Sequence, residues 1–167
     1  MPENDYLPSG LTIDPVTSDE VPLALEFIRG LAEYEHEPEA VKTTPEQLSD
    51  ALFGSAPAAE AVIARLGGAP AGFALWTRNY STWTGQPGLW LEDIFIKPEY
   101  RRHGIGKALM IYLARLCQER GYGRFEWSVL DWNTPAIDFY RALGAESMDE
   151  WTINRLSGDA LKRLADG

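Results

Sequence analysis

Cysteine is nearly absent from this chain of 167 residues: Cys117 stands alone, so no internal disulfide can form, and a reducing cytoplasm suits it. Histidine is almost as scarce. His36 and His103 sit singly in polar stretches and give no basis for a metal site. No apolar run approaches the roughly 18 residues that a membrane span needs. The opening "MPENDYLPSG" lacks the basic start and apolar stretch of a secretory signal. Positive charge is in deficit, with 15 basic against 25 acidic residues and a net charge of −10. Such a surface repels nucleic acid and anionic lipid and attracts small cations. Repeats, low-complexity tracts and dividing linkers are missing too. These absences predict one domain over residues 1–167 with a flexible lead-in at 1–10. They predict a cytoplasmic protein with no nucleic-acid partner, no membrane partner and no metal.

What is present is an alternation of strands and amphipathic helices. Leu11 to Val16 reads as a first strand. Ser18 or Asp19 is placed to cap a helix carrying Leu23, Phe27, Ile28 and Leu31 toward Tyr34. Thr44-Pro45-Glu46-Gln47 is a capping box with proline at the first helical position, opening a short helix to Phe53. Ala61–Leu66 and Ala71–Trp76 flank the turn "GGAP", and "NYSTWTGQPG" reads as a loop before a central strand, Leu89 to Ile96. Ile105, Ala108, Leu109, Tyr112, Leu113, Leu116 and Cys117 keep helical spacing up to Gly121. A strand at Arg124–Leu130, a helix at Thr134–Leu143, a late strand at Trp151–Leu156 and a helical tail from Gly158 complete the order. The expectation is an α/β (α+β) fold with a mixed sheet, in which the strand–helix–strand after Leu89 requires a parallel pair.

The basic residues that do occur are concentrated. Lys97, Arg101, Arg102, His103 and Lys107 fall together, around the glycines of "PEYRRHGIGKAL". A glycine-rich turn between strand and helix is a phosphate cradle by physical logic, since first-turn amides point at an anion. The dinucleotide fingerprint fails because Leu109 holds its third glycine position. The P-loop fails at Arg101 and at Ala108. What remains is Arg101-x-x-Gly104-x-Gly106.

That pattern resembles the acetyl-CoA loop of the GNAT superfamily of N-acetyltransferases. "LWLEDIFIKPEYRRHGIGKALM" and "EWSVLDWNTPAIDFYRALGA" resemble its spermidine/spermine (diamine) and thialysine N-acetyltransferase branch, as do "GLAEYEHEPEAV" and "NYSTWTGQPG". The resemblance spans about Leu11 to Leu156. It implies a GNAT fold with about six to seven strands and a splayed fourth and fifth strand, separated by a bulge near Glu92 and Asp93. It also implies acetyl-CoA as co-substrate without a metal, and a homodimer. The pantetheine arm would pair with the backbone of Ile94, Phe95 and Ile96. Phosphates would rest on the loop and helix start at Arg101, Arg102, His103, Gly104, Ile105, Gly106 and Lys107, with Asn133, Pro135, Ala136 and Tyr140 completing the cofactor side.

An aliphatic ammonium, with a pKa near 10, must lose its proton before it attacks a thioester. The resemblance gives Glu92 this task, through an ordered water, and gives Tyr140 the protonation of the departing thiolate. Without it, Glu92 reads as a strand-edge acid and Tyr140 as a core residue beside Ile137 and Leu143. Tyr34, Glu35, Asp93, Glu126, Trp127 and Ser128 would line the amine pocket. Strand alternation lets only one of Glu126 and Trp127 face inward. Asn133 fits a helix cap as well as a cofactor contact, and Tyr34 and Glu35 also fit an exposed helix end. The implied activity is direct acetyl transfer to a polyamine, diamine or lysine-like amine. A protein acetyltransferase and a non-catalytic acyl-CoA sensor are the alternatives.

Overall fold

The computed structural model describes residues 5–167, and the chain divides into two compact units, one ending at Ser128 and one running from Val129 to Gly167. Residues 1–4 of the expected flexible lead-in lie outside the described residues. The rest of that lead-in meets the third helix: the Arg115 guanidinium lies 4.1 Å over the Tyr6 ring and 3.4 Å from the Asp5 carboxylate.

The first unit is built on five strands in sequential order: β1 (Leu11–Pro15), β2 (Glu60–Leu66), β3 (Ala69–Ser81), β4 (Gln86–Ile96) and β5 (Arg124–Trp127). The first three pairings are antiparallel and β4–β5 is parallel, so the sheet is mixed as its sequence pattern requires. Three helices belong to this unit: α1 (Val21–Tyr34), α2 (Pro45–Phe53) and α3 (Ile105–Glu119). The capping box forms as expected, with the Gln47 amide donating to Thr44 Oγ1 at 3.2 Å. The cap before α1 falls one residue earlier than Ser18. Thr17 opens a single turn at Ser18–Glu20, and its amide donates to the Glu20 carboxylate.

Two expectations need correction. "NYSTWTGQPG" is mostly strand: β3 runs on to Ser81, β4 begins at Gln86, and only a tight turn at positive-φ Gly85 separates them. Trp151–Leu156 forms no strand, and among the described residues the sheet has five strands rather than six or seven. Alternation in that segment is correct for a strand, but backbone groups become a strand only where a second strand receives them.

The two sheet faces are separated by helix. Phe73 and Leu75 of β3 pack into one cluster with Val21, Ala24, Leu25 and Phe27 of α1, and the Phe27 and Phe73 rings stack at 5.6 Å. On the other face a Cβ placed on Gly72 would meet Ile96 Cδ1 at 2.9 Å and Ile105 Cγ2 at 3.0 Å, so glycine lets α3 sit close to β3 without displacing those side chains.

The second unit holds α4 (Thr134–Ala142) and α5 (Gly158–Ala165). Asn133 opens α4 and Gly144, at φ 93°, follows its end. No helix among the described residues is long and apolar enough to cross a membrane.

Candidate active site

A bulge in β4 creates the centre of the site. Along β3, Leu75 pairs with Asp93 and the next residue, Trp76, pairs with Leu91, leaving Glu92 as the extra residue. Alternation would send Glu92 and Asp93 to opposite faces. The bulge cancels one step of it. Trp90 pairs with Thr77, Asp93 with Leu75 and Phe95 with Phe73, so all three carry the register of the α1 face, and Glu92 stands two residues from Trp90.

The two acids of the bulge are joined by one from α1. Asp93 is largely buried, and its carboxyl is pushed from an ordinary 3.8 up to about 6. Burial is the leading cause, followed by the negative charges of Glu92 and Glu35. Burial also raises the Glu35 carboxyl, which closes the C-terminus of α1 beside Tyr34. Three carboxylates from two elements thus make a patch of negative potential that a cation would relieve. The indole Nε1 of Trp90 donates to Glu92 Oε2 at 3.0 Å. Sequence reasoning passed over Trp90, although its two-residue spacing from Glu92 was the available signal.

The same bulge ends the pairing of β4 with β5. The parallel ladder joins Gly88–Leu91 to Arg124–Trp127 and stops, so residues 92–96 have no β5 partner. Ile94 and Ile96 remain only half-buried, although apolar residues of an interior strand are normally covered completely. This open edge is the splay, and its apolar rim and spare backbone groups fit an extended amide-bearing arm. The ladder also resolves the choice on β5. Glu126 is the register partner of Trp90 and takes the acidic face, whereas Trp127 pairs with Leu91, takes the opposite face and packs on Phe125 at 5.0 Å. Ser128 lies exposed beyond the strand end.

The loop after β4 has a cradle's backbone. Arg102 and Gly104 both adopt positive φ, 66° and 76°, and Gly104 is the N-cap of α3. With no side chain, that cap leaves the amides of Ile105, Gly106 and Lys107 to an external acceptor. Successive turn and left-handed residues aim N–H groups into one concavity, which suits a pyrophosphate. His103 is exposed and folds back on its own loop, its Nδ1 2.9 Å and 3.1 Å from the carbonyls of Arg101 and Tyr100, and as carbonyls only accept, that nitrogen is placed to donate. Arg101 leaves the loop for the acidic face. Its Nε donates to the Ile96 carbonyl at 3.3 Å, and its guanidinium lies 5.1 Å over Tyr34 and 5.8 Å over Phe95. Lys97 is paired with Glu26 at 3.1 Å. Of the basic island, Arg102 and Lys107 are the exposed cations left on the loop and helix start.

In the second unit the Asn133 side chain accepts from the Ala136 amide at 3.4 Å, so it does cap α4. Pro135 occupies the first turn, where its missing N–H costs nothing. Tyr140 is half-buried on α4, its ring 5.3 Å from that of Phe139.

A splayed parallel pair followed by this loop and helix has a counterpart among known families, and the acetyltransferase (GNAT) family profile matches residues 25–145. The chain belongs to that family. The match begins inside α1 and ends beyond α4, so it spans both compact units. A thialysine N-epsilon-acetyltransferase of Bos taurus is 38% identical over 152 residues, covering 84% of this chain and 89% of its own length. An L-ornithine N5-acetyltransferase of Arabidopsis thaliana is 45% identical over 94 residues, 56% of this chain and 41% of that one. Among solved structures, an integron cassette protein from the mobile metagenome of V. cholerae superposes with a TM-score of 0.78 at 24% identity. That alignment covers 95% of this chain and 99% of the other. The GNAT family uses acetyl-CoA.

Proposed function

We propose that this acetyltransferase moves the acetyl group of acetyl-CoA directly to the primary amine of a small cationic substrate. The bulge that turns Glu92 and Asp93 toward one face, opposite Glu35, carries the reading. A compact cluster of carboxylates beside an open strand edge suits an ammonium beside a thioester. Relatives named for thialysine and ornithine favour an amine on a diamino acid side chain, with polyamines as the next class.

In this reading the backbone of Ile94 to Ile96 holds the pantetheine arm, and the amides from Arg102 to Lys107 hold the pyrophosphate. Acetyl-CoA supplies the thioester; the chain's residues handle the protons. Asp93, Glu35 and Glu126 attract the ammonium, with Tyr34 on the helix end beside them. Glu92 takes the amine proton through an ordered water, and the freed nitrogen forms a bond to the acetyl carbon as the carbon–sulfur bond breaks. Tyr140 gives its phenolic proton to the departing thiolate. Its assignment rests on the motif "IDFYRALG".

An amine panel with a thiol-release readout tests the proposal. Thialysine, lysine, ornithine, spermidine and putrescine at equal concentration are expected to give amine-dependent release of CoA, fastest with a diamino acid. Binding of acetyl-CoA with no release across the panel would make the protein a sensor. Release only with a peptide substrate would make it a protein acetyltransferase.

We also propose a homodimer built through the second unit. Met148, Trp151, Ile153, Leu156, Leu161 and Leu164 are all exposed, more apolar surface in one short segment than solvent usually meets. Light scattering that returned the mass of one chain would overturn it.

A further inference from the structure

We propose that Trp90 is a positioning residue for Glu92, fixing the carboxylate that receives the amine proton. The inference rests on the reading of Glu92 as the base. Trp90 lies in the last stretch of β4 that is held on both sides, by Thr77 of β3 and Glu126 of β5, and it is half-buried. Leu91, next to it, is anchored in the opposite face at 3% exposure. Glu92 is the first residue beyond that support, the unpaired member of the bulge, and it is exposed.

A glutamate in that position has three free torsions and would spread over many rotamers. It is also pushed away from its neighbour, because Asp93 carries a like charge beside it. The indole N–H opposes both tendencies. It is a donor on a rigid ring, and its bond takes Oε2, one of the two carboxylate oxygens. The other oxygen is then the one turned to a ligand. A tryptophan does this better than a lysine or arginine would, since it donates without adding a positive charge that repels the incoming ammonium.

A double-mutant cycle tests the assignment. Trp90→Phe keeps an aromatic ring and removes the donor, and is expected to lower kcat about fivefold to tenfold. KM for acetyl-CoA should stay within twofold. Placed in a Glu92→Gln background, the same substitution should cost less than a further twofold, because the residue it acts through is already disabled. Equal losses in both backgrounds would mean that the ring only packs, and would overturn the proposal. So would a Trp90→Phe variant at full speed while Glu92→Gln is slow, a result that leaves Glu92 as base untouched. A Glu92→Gln variant at full speed would instead remove the base reading and this inference with it. Trp90→Tyr, which retains a ring donor if the phenylalanine variant fails to fold, is expected within threefold of the wild type. A tenfold loss in that variant also overturns the proposal.

Discussion

Glu92→Gln is expected to lower kcat roughly 100-fold to 1,000-fold, with acetyl-CoA affinity unchanged within about twofold. The amide is nearly the shape of the acid and still accepts from the Trp90 indole, but it cannot take a proton. The open edge at Ile94 and Ile96 and the αL loop before α3, proposed to hold the cofactor, lie outside the substitution, so cofactor affinity should be insulated from it. Tyr140→Phe should lose less, about 10-fold to 100-fold, because a thiolate is a tolerable leaving group even without a proton donor. Steady-state kinetics with the best amine of the panel, beside calorimetric titration of acetyl-CoA, separates the two effects. Wild-type turnover in either variant removes that residue's role, and a parallel loss of cofactor affinity would show a disturbed fold instead.

Asp93→Asn is expected to stabilise the protein and impair it at once. The Asp93 carboxyl holds its proton up to about pH 6 in the folded chain, against an ordinary 3.8. Between those values the native state binds more protons than the unfolded one, so stability falls as pH rises through that window. Above it, the ionised, crowded carboxylate is a standing penalty. A displacement of that size corresponds to at most about 3 kcal/mol, and water at the pocket screens it to about 1–2 kcal/mol. The asparagine variant should therefore melt higher than wild type at pH 7.5, with the gain shrinking through pH 6 and gone near pH 4. Its KM for the amine should meanwhile rise roughly tenfold, since one charge of the cluster is lost. A melting temperature that rises equally at all pH values would refute the electrostatic origin. Conversely, an unchanged KM would place Asp93 outside the amine pocket.

The opposition of those two effects expresses how the site is built. Glu92 and Asp93 are adjacent in sequence, and like charges so close cost stability. In the proposed function that cost has a use, because a bound ammonium would neutralise the cluster.

Local residues determined much of this before any tertiary contact was known. Thr44-Pro45-Glu46-Gln47 starts α2 because a cap, a ring and a returning amide satisfy the same few backbone groups. The helical spacing from Ile105 to Cys117, ended before Gly121, determined α3, and the strand–helix–strand order imposed the parallel β4–β5 pair. Arg101-x-x-Gly104-x-Gly106 marked the cradle because left-handed backbone is a local demand, met here at Gly104 and, without glycine, at Arg102.

The tertiary structure decided what depends on a partner elsewhere in the chain. Whether Trp151–Leu156 becomes a strand depends on a neighbouring edge, and none receives it among the described residues. Which of Glu126 and Trp127 faces the acids follows from register with β4, a property of two strands rather than one. Arg101, counted with the phosphate loop by its place in the motif, goes instead to Tyr34 and Phe95, because aromatic faces on α1 and β4 lie within its reach. The pattern of "WLEDIF" does not by itself show the bulge, which only the family resemblance placed near Glu92 and Asp93, since an extra residue exists only relative to the strand it fails to match. That mismatch turns two neighbouring acids to one face, and so makes a site from a sequence that by alternation alone would have divided them.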